Sequence, residues 1–184
     1  MSLIENEYIQ IDLLSKNGEL NFHLVNVAIL SGLIGQYCEL SQRDLIIIIL
    51  GSVIHDIGKQ EIPIEILDKP GKLSIVEKNL INTHPYEGLK ILAKFNLSQE
   101  VLDIVQFHHQ YIKELPKAIK LKDIVQDHRA AYPIICSVAD VTDAVISKRA
   151  YKLSLSPTVS RDDLLKKGIL DIDEIYKAIG IILD

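Results

Sequence analysis

Along the chain, apolar positions recur at helical spacing, and no alternating run marks a strand. Residues 3–14 read as a first helix, stopped by Asn17-Gly18. A second helix is expected over 19–37, with Phe22, Val25, Ile29 and Leu33 as its apolar stripe. Ser41 suits the N-cap of a third helix through 45–54, with Asp44 in the first turn; its aliphatic run reads as a central buried helix. Gly58 is read as the stop of that helix, followed by a short segment at 63–67 and a turn at Lys69-Pro70-Gly71-Lys72. Ser74 with Glu77 forms a capping-box pattern, Pro85 should kink or interrupt the helix it opens, and 86–95 resumes helical spacing. Ser98 is positioned to cap the helix carrying His108 and His109. The stretch 111–129 is the least regular and reads as a loop containing His128. Pro133 suits the first turn of a helix through 140–146, and Ser160 and Asp171 look like caps for two last helices over about 160–183. The expected fold class is all-α, a helical bundle formed by a single domain over 1–184.

Composition narrows the classes. Apolar residues make up 48% of the 184 positions, which excludes a disordered chain, and with aromatics at 5% and no Trp the core must be aliphatic. A net charge of -5 leaves no basic footprint for DNA, so a phosphate site needs local cations or metal ions. The two cysteines, Cys38 and Cys136, lie far apart in apolar segments and read as buried reduced thiols. The N-terminal residues lack the basic and apolar regions of a signal peptide, and no apolar run is long enough to span a bilayer; the expectation is a cytoplasmic protein without a membrane partner.

The chemistry is concentrated in the histidines. Only six occur, and five fall in short patterns suited to metal binding: His23 on a helical stretch, His55 beside Asp56 in His55-Asp56-Ile57-Gly58-Lys59, His84 before Pro85, and the doublet His108-His109. Asp140 follows in Val138-Ala139-Asp140-Val141. Neutral imidazoles with carboxylates suit a divalent or di-iron site that generates hydroxide.

This order, together with Ile62-Pro63, Leu67-Asp68-Lys69-Pro70-Gly71-Lys72-Leu73, Glu77 and Gly88, resembles the HD superfamily of metal-dependent phosphohydrolases, and within it the HD-GYP branch. The resemblance covers roughly residues 19–152. It implies an HD-domain bundle with a metal site in its core, whose ligands are His23, His55, Asp56, His84, His108, His109 and Asp140, with Asp56 as the bridging carboxylate. It implies two or three divalent metals, Fe or Mn favoured over a thiolate-type site, with Mg, Ni or Zn as alternatives. Glu19, one helical turn before His23, is either a ligand of a third metal or an ordinary acidic residue of a first turn. Asp56 and Lys59 take the catalytic roles, and Lys59 also binds substrate by neutralising a phosphate oxygen. Arg149 and Lys152 resemble the family's phosphate-contacting cations, although Ala150 stands where the family has proline. Asp143 is read as orienting a ligand or Lys59.

One departure is clear. After the doublet the family continues with glutamate and a glycine-rich loop ending Gly-Tyr-Pro. Here the text is Gln110-Tyr111-Ile112-Lys113-Glu114-Leu115-Pro116-Lys117, and Ala131-Tyr132-Pro133 lies too far downstream to replace the loop. The leading expectation is a phosphodiesterase acting on a cyclic dinucleotide, most plausibly cyclic di-GMP. Three readings stand beside it: a phosphohydrolase of another nucleotide or phosphoester, a catalytically weak metal-binding signalling or adaptor domain, and a di-iron oxygenase. A regulatory domain, a protein partner and a homodimer are all left open.

Overall fold

The computed structural model describes residues 19–110, 120–124 and 128–150, together with 175, 177 and 178. These residues contain eight α-helices and one 3-10 turn, and no strand is found among them, in keeping with the all-α expectation. The helices are α1 (Glu19–Tyr37), α2 (Gln42–Ile54), α3 (Ile64–Leu67), α4 (Ile75–Ile81), α5 (His84–Leu92), α6 (Gln99–Phe107), α7 (Leu121–Ile124) and α8 (His128–Ala150). The 3-10 turn (Ile57–Glu61) follows α2. The expected helices at 3–14 and 160–170 lie outside the described residues. Of the one expected to follow Asp171, Ile175 is helical and buried.

Several boundaries follow from local chemistry. Ser41 caps α2 by accepting the Asp44 N–H, and Ser74 and Glu77 form a reciprocal capping box on α4. Pro85 interrupts: α4 ends at Ile81, and Pro85 falls in the first turn of the new helix α5, where its missing N–H costs nothing. Ser98 is the N-cap residue of α6.

Four expectations are corrected. The buried side of α1 is formed by Leu24, Val27, Ala28, Ser31 and Ile34, while Phe22, Val25 and Ile29 face outward at 72%, 52% and 57% exposure. The helix is apolar on several sides, and the side that meets α2 and α8 mixes large residues with the small Ala28 and Ser31, which allow close approach. The central buried helix is α8, buried at every residue from 131 to 139; α2 leaves Ile46, Ile49 and Leu50 exposed. His128 opens α8 and is not in a loop, so Pro133 lies inside the helix and beyond its first turn. Tyr132 is taken up by packing, its hydroxyl donating to Asp44 Oδ1 at 2.7 Å. Gly58 does not stop α2, which ends at Ile54.

Gly58 instead permits a backbone crossing. A Cβ there would lie 1.9 Å from the His84 carbonyl oxygen and 2.4 Å from the Gly88 nitrogen. The 3-10 turn therefore lies against the first turn of α5, bringing His84 alongside Asp56. Gly71, by contrast, needs glycine for its φ of 102° alone, with nothing within 4 Å of its Cβ position.

Gly58→Ala is expected to lower unfolding free energy by roughly 3 kcal/mol or more, since backbone cannot yield as a side chain can. Gly71→Ala should cost about 1 kcal/mol. Urea denaturation of both variants measures the difference, and equal losses would show that the crossing relaxes.

Candidate metal centre

Six elements deliver the candidate ligands. His23 lies on α1, His55 is the C-cap residue of α2, Asp56 opens the 3-10 turn, His84 begins α5, His108 is the C-cap residue of α6 with His109 next to it, and Asp140 lies on α8. The side chains gather into two groups whose donor atoms lie within 4.8 Å of one another: Asp56, His84, His108 and His109, and His23, His55 and Asp140. All seven expected ligands thus converge. His55, Asp56, His84 and His108 are almost fully buried.

Asp56 stands between the groups. Its Oδ1 is 3.2 Å from His84 Nε2 and 3.9 Å from His108 Nε2, whereas its Oδ2 is 3.4 Å from His55 Nε2 and accepts from Lys59 Nζ. Each oxygen therefore faces a different group.

The tautomers follow from their partners. His55 Nδ1 donates to the Ser52 carbonyl at 2.7 Å, His84 Nδ1 to Ile81 at 2.7 Å, and His108 Nδ1 to Val105 at 3.0 Å. A carbonyl can only accept, so each Nδ1 carries hydrogen and each ring turns its Nε2 inward, where a lone pair stands whenever the ring is neutral. His84 Nε2 and His108 Nε2 are 3.2 Å apart. Two lone pairs at that distance repel unless a proton or a cation lies between them. His55 Nε2 is buried with no hydrogen-bond partner among the described residues, an expensive arrangement for a polar atom. Inward lone pairs, an unpartnered buried nitrogen and carboxylates fit divalent cations, and no sulfur donor takes part.

His23 is held differently. Its Nδ1 donates to Asp143 Oδ2 at 2.7 Å, its Nε2 is 3.2 Å from Asp140 Oδ1, and Asn26 Nδ2 donates to Asp143 Oδ1 at 2.9 Å. Asp143 therefore orients His23 and extends the ligand set outward as a carboxylate–imidazole pair. Asn26 was not singled out in the sequence; the one available signal was its position three residues after His23, on the same side of a helix.

Charge follows the same division. Burial disfavours a charged His23, but hydrogen bonds to Asp140 and Asp143 outweigh it and raise its pKa to about 9. Burial holds His108 well below the ordinary imidazole value, reinforced by His55, and burial with the nearby His84 brings His109 to about 4. Burial opposes ionisation of Asp56, yet the charges of His55 and Lys59 keep its carboxyl well below the usual range. Around Asp56 the neutral rings His108 and His109 present lone pairs, and a carboxylate faces them.

The chain matches the HD domain over residues 22–145, about two thirds of its length. It belongs to the HD domain family. The HD pair is His55-Asp56. Among its relatives, a cyclic di-GMP phosphodiesterase of Pseudomonas aeruginosa is 36% identical over 104 residues, covering 56% of this chain and 24% of the relative. A 3'3'-cGAMP-specific phosphodiesterase of Vibrio cholerae is 31% identical over 159 residues, covering 84% and 30%. A cyclic di-GMP phosphodiesterase response regulator of Xanthomonas campestris is 30% identical over 141 residues, covering 74% and 36%. The chain thus spans between 24% and 36% of the length of these relatives. No helix among the described residues is long and apolar enough to cross a membrane.

Glu19 lies on α1 and Arg149 in the last turn of α8 by their backbones, but their side chains are outside the described residues, as is the whole of Lys152. Cys38 and Cys136 are buried and not joined in a disulfide, in keeping with the sequence.

Asp143→Asn removes the carboxylate from behind His23 and is expected to weaken Mn(II) binding at one position by roughly 10- to 100-fold. Titration calorimetry on chelator-stripped protein measures it; unchanged affinity would mean that His23 needs no such support.

Proposed function

We propose that this HD domain is a metal-dependent phosphodiesterase that hydrolyses a cyclic dinucleotide. The observation that carries the reading is Asp56, whose two oxygens each face one of two ligand groups. The activities of these relatives support cyclic di-GMP or the mixed cyclic GMP-AMP as the substrate class.

Two divalent cations, Fe or Mn favoured by the nitrogen and carboxylate donors, would lower the pKa of a water and offset charge on phosphoryl oxygens. The protein's own part is positional. His84, His108 and His109 would hold a cation on one side of Asp56, His23, His55 and Asp140 would hold one on the other, and Asp56 would serve both. Glu19 is the candidate for a third position. Lys59, paired with Asp56, would offset negative charge on a phosphate oxygen as it develops in the transition state. Arg149 and Lys152, which resemble the family's phosphate-contacting cations, are the candidates for the second phosphate. Asp143 and Asn26 keep the His23 ring aligned throughout.

The chain's lack of the glycine-rich Gly-Tyr-Pro loop after His109 favours a second reading, hydrolysis of a linear dinucleotide or another phosphoester by the same metals. Turnover separates the two. Protein loaded anaerobically with Fe(II) or Mn(II) is expected to open cyclic di-GMP or cyclic GMP-AMP, with His55→Ala inactive. Activity confined to linear or mononucleotide esters would move the substrate class, and no metal-dependent hydrolysis across that panel would sink the phosphohydrolase reading.

Asp56→Ala is expected to lose metal binding and turnover together, by at least about 1000-fold in rate given that both positions share this ligand. Full activity in that variant would remove Asp56 from the site.

A further inference from the structure

The side of α1 that turns away from the metal centre has no partner among the described residues that buries it. Phe22, Val25 and Ile29 are more than half exposed, and Ile49 of α2 is 42% exposed beside them. Between the two helices runs an apolar groove of about 300 Å³, lined by Val25, Ala28, Ile29, Gly32, Ile49 and Val53 among others. Single exposed apolar side chains are ordinary on a protein surface, but a contiguous strip along two adjacent helices marks a surface that something covers.

The sequence next to α1 has the right length and pattern to cover it. Residues 3–14 carry Leu3, Ile4, Tyr8, Ile11 and Leu14 on one side of a helix, and only four residues, ending in Asn17-Gly18, separate them from Glu19. A connection that short makes neighbouring helices antiparallel. Folding back about position 18 sets Leu14 opposite Phe22, Ile11 opposite Val25, Tyr8 opposite Ala28, Ile4 opposite Gly32 and Leu3 opposite Leu33. Large side chains thus meet the small residues of the groove, and apolar ones meet Phe22 and Val25 of the exposed strip. A 12-residue helix is about 18 Å long, the same as the rise from Phe22 to Leu33. The one charged residue on that side, Glu7, falls opposite Ile29, the most exposed apolar residue of the groove.

We propose that residues 3–14 form an amphipathic helix that docks antiparallel in the α1/α2 groove of the same chain. The tether gives this segment an effective concentration in the millimolar range, which a second copy in dilute solution does not match. The docked helix holds α1 against α2 from outside while α8 holds it from inside. His23 and Asn26, which belong to the metal centre, are thereby carried on a helix fixed on both sides.

The test is a cysteine pair in the full chain, Ile11→Cys with Val25→Cys, under mild oxidation; the native Cys38 and Cys136 are buried and give little background. The expected product is an internal disulfide in a monomer, formed at a rate independent of protein concentration and at least tenfold faster than in the control pair Asp12→Cys with Val25→Cys. Disulfide-linked dimers whose yield rises with concentration would assign the groove to a second copy and overturn the proposal. Equal, slow oxidation of both pairs would place the segment elsewhere and overturn it as well. Because cysteine variants can misfold, hydrogen exchange provides an independent reading: Val25→Asp with Ile29→Asp should speed exchange of the 5–14 amides at least tenfold. Rates that match the unaltered chain would show that those amides owe nothing to the groove.

Discussion

The structure is organised around one buried negative charge. Asp56 exposes 4% of its surface, and taking a carboxylate out of water costs several kcal/mol unless nearby groups compensate. Four elements compensate: α2 brings His55, the 3-10 turn brings Lys59, α5 brings His84 and α6 brings His108. None of these groups is local to Asp56 except His55 and Lys59, so the carboxylate is stable only when the distant helices are in place. Folding of the bundle and assembly of the centre are in this sense one event, and α8 passes through the middle as the packed post against which α1, α2 and α6 lean.

The two ligand groups differ in how firmly charge surrounds them. Beside His84, His108 and His109, burial keeps two of the rings neutral, and the groups that hold their orientation are uncharged main-chain carbonyls where the partner is known. Beside His23 stand two carboxylates, Asp140 and Asp143, that favour a protonated ring in the absence of a cation. A divalent ion entering the second group must displace that proton, whereas one entering the first meets open lone pairs. The chemical inequality of the positions comes from α8, which contributes both acids.

Much of this was legible in the sequence because it is written in short-range chemistry. The Ser41, Ser74 and Ser98 caps, the interruption before Pro85 and the seven ligand types in their order all depend on neighbours a few residues apart. What escaped depends on geometry between elements. The buried side of α1 is not legible because the helix is apolar on several sides, so Leu24, Val27 and Ile34 differ from the exposed Phe22, Val25 and Ile29 only in where α2 and α8 pack. The depth of α8 was hidden by its polar and small residues, Ser137 and Thr142 among them, both buried, with Thr142 satisfied by the Val138 carbonyl. Asn26 carried no mark of its own, since an amide three residues after a histidine acquires meaning only when Asp143 arrives from 117 residues away.

The main-chain carbonyls behind three of the histidines have a second significance. Ser52, Ile81 and Val105 lie in the final turns of α2, α4 and α6, where a helix leaves its last carbonyls without intrahelical partners. The imidazoles fill that need, so each of these ligands also finishes a helix. Exchanging one for alanine therefore frays a helix end even before any ion is lost, and a weakened variant cannot be attributed to metal binding alone. Asparagine or glutamine, which can still donate toward the same carbonyl, are the substitutions that separate the two roles.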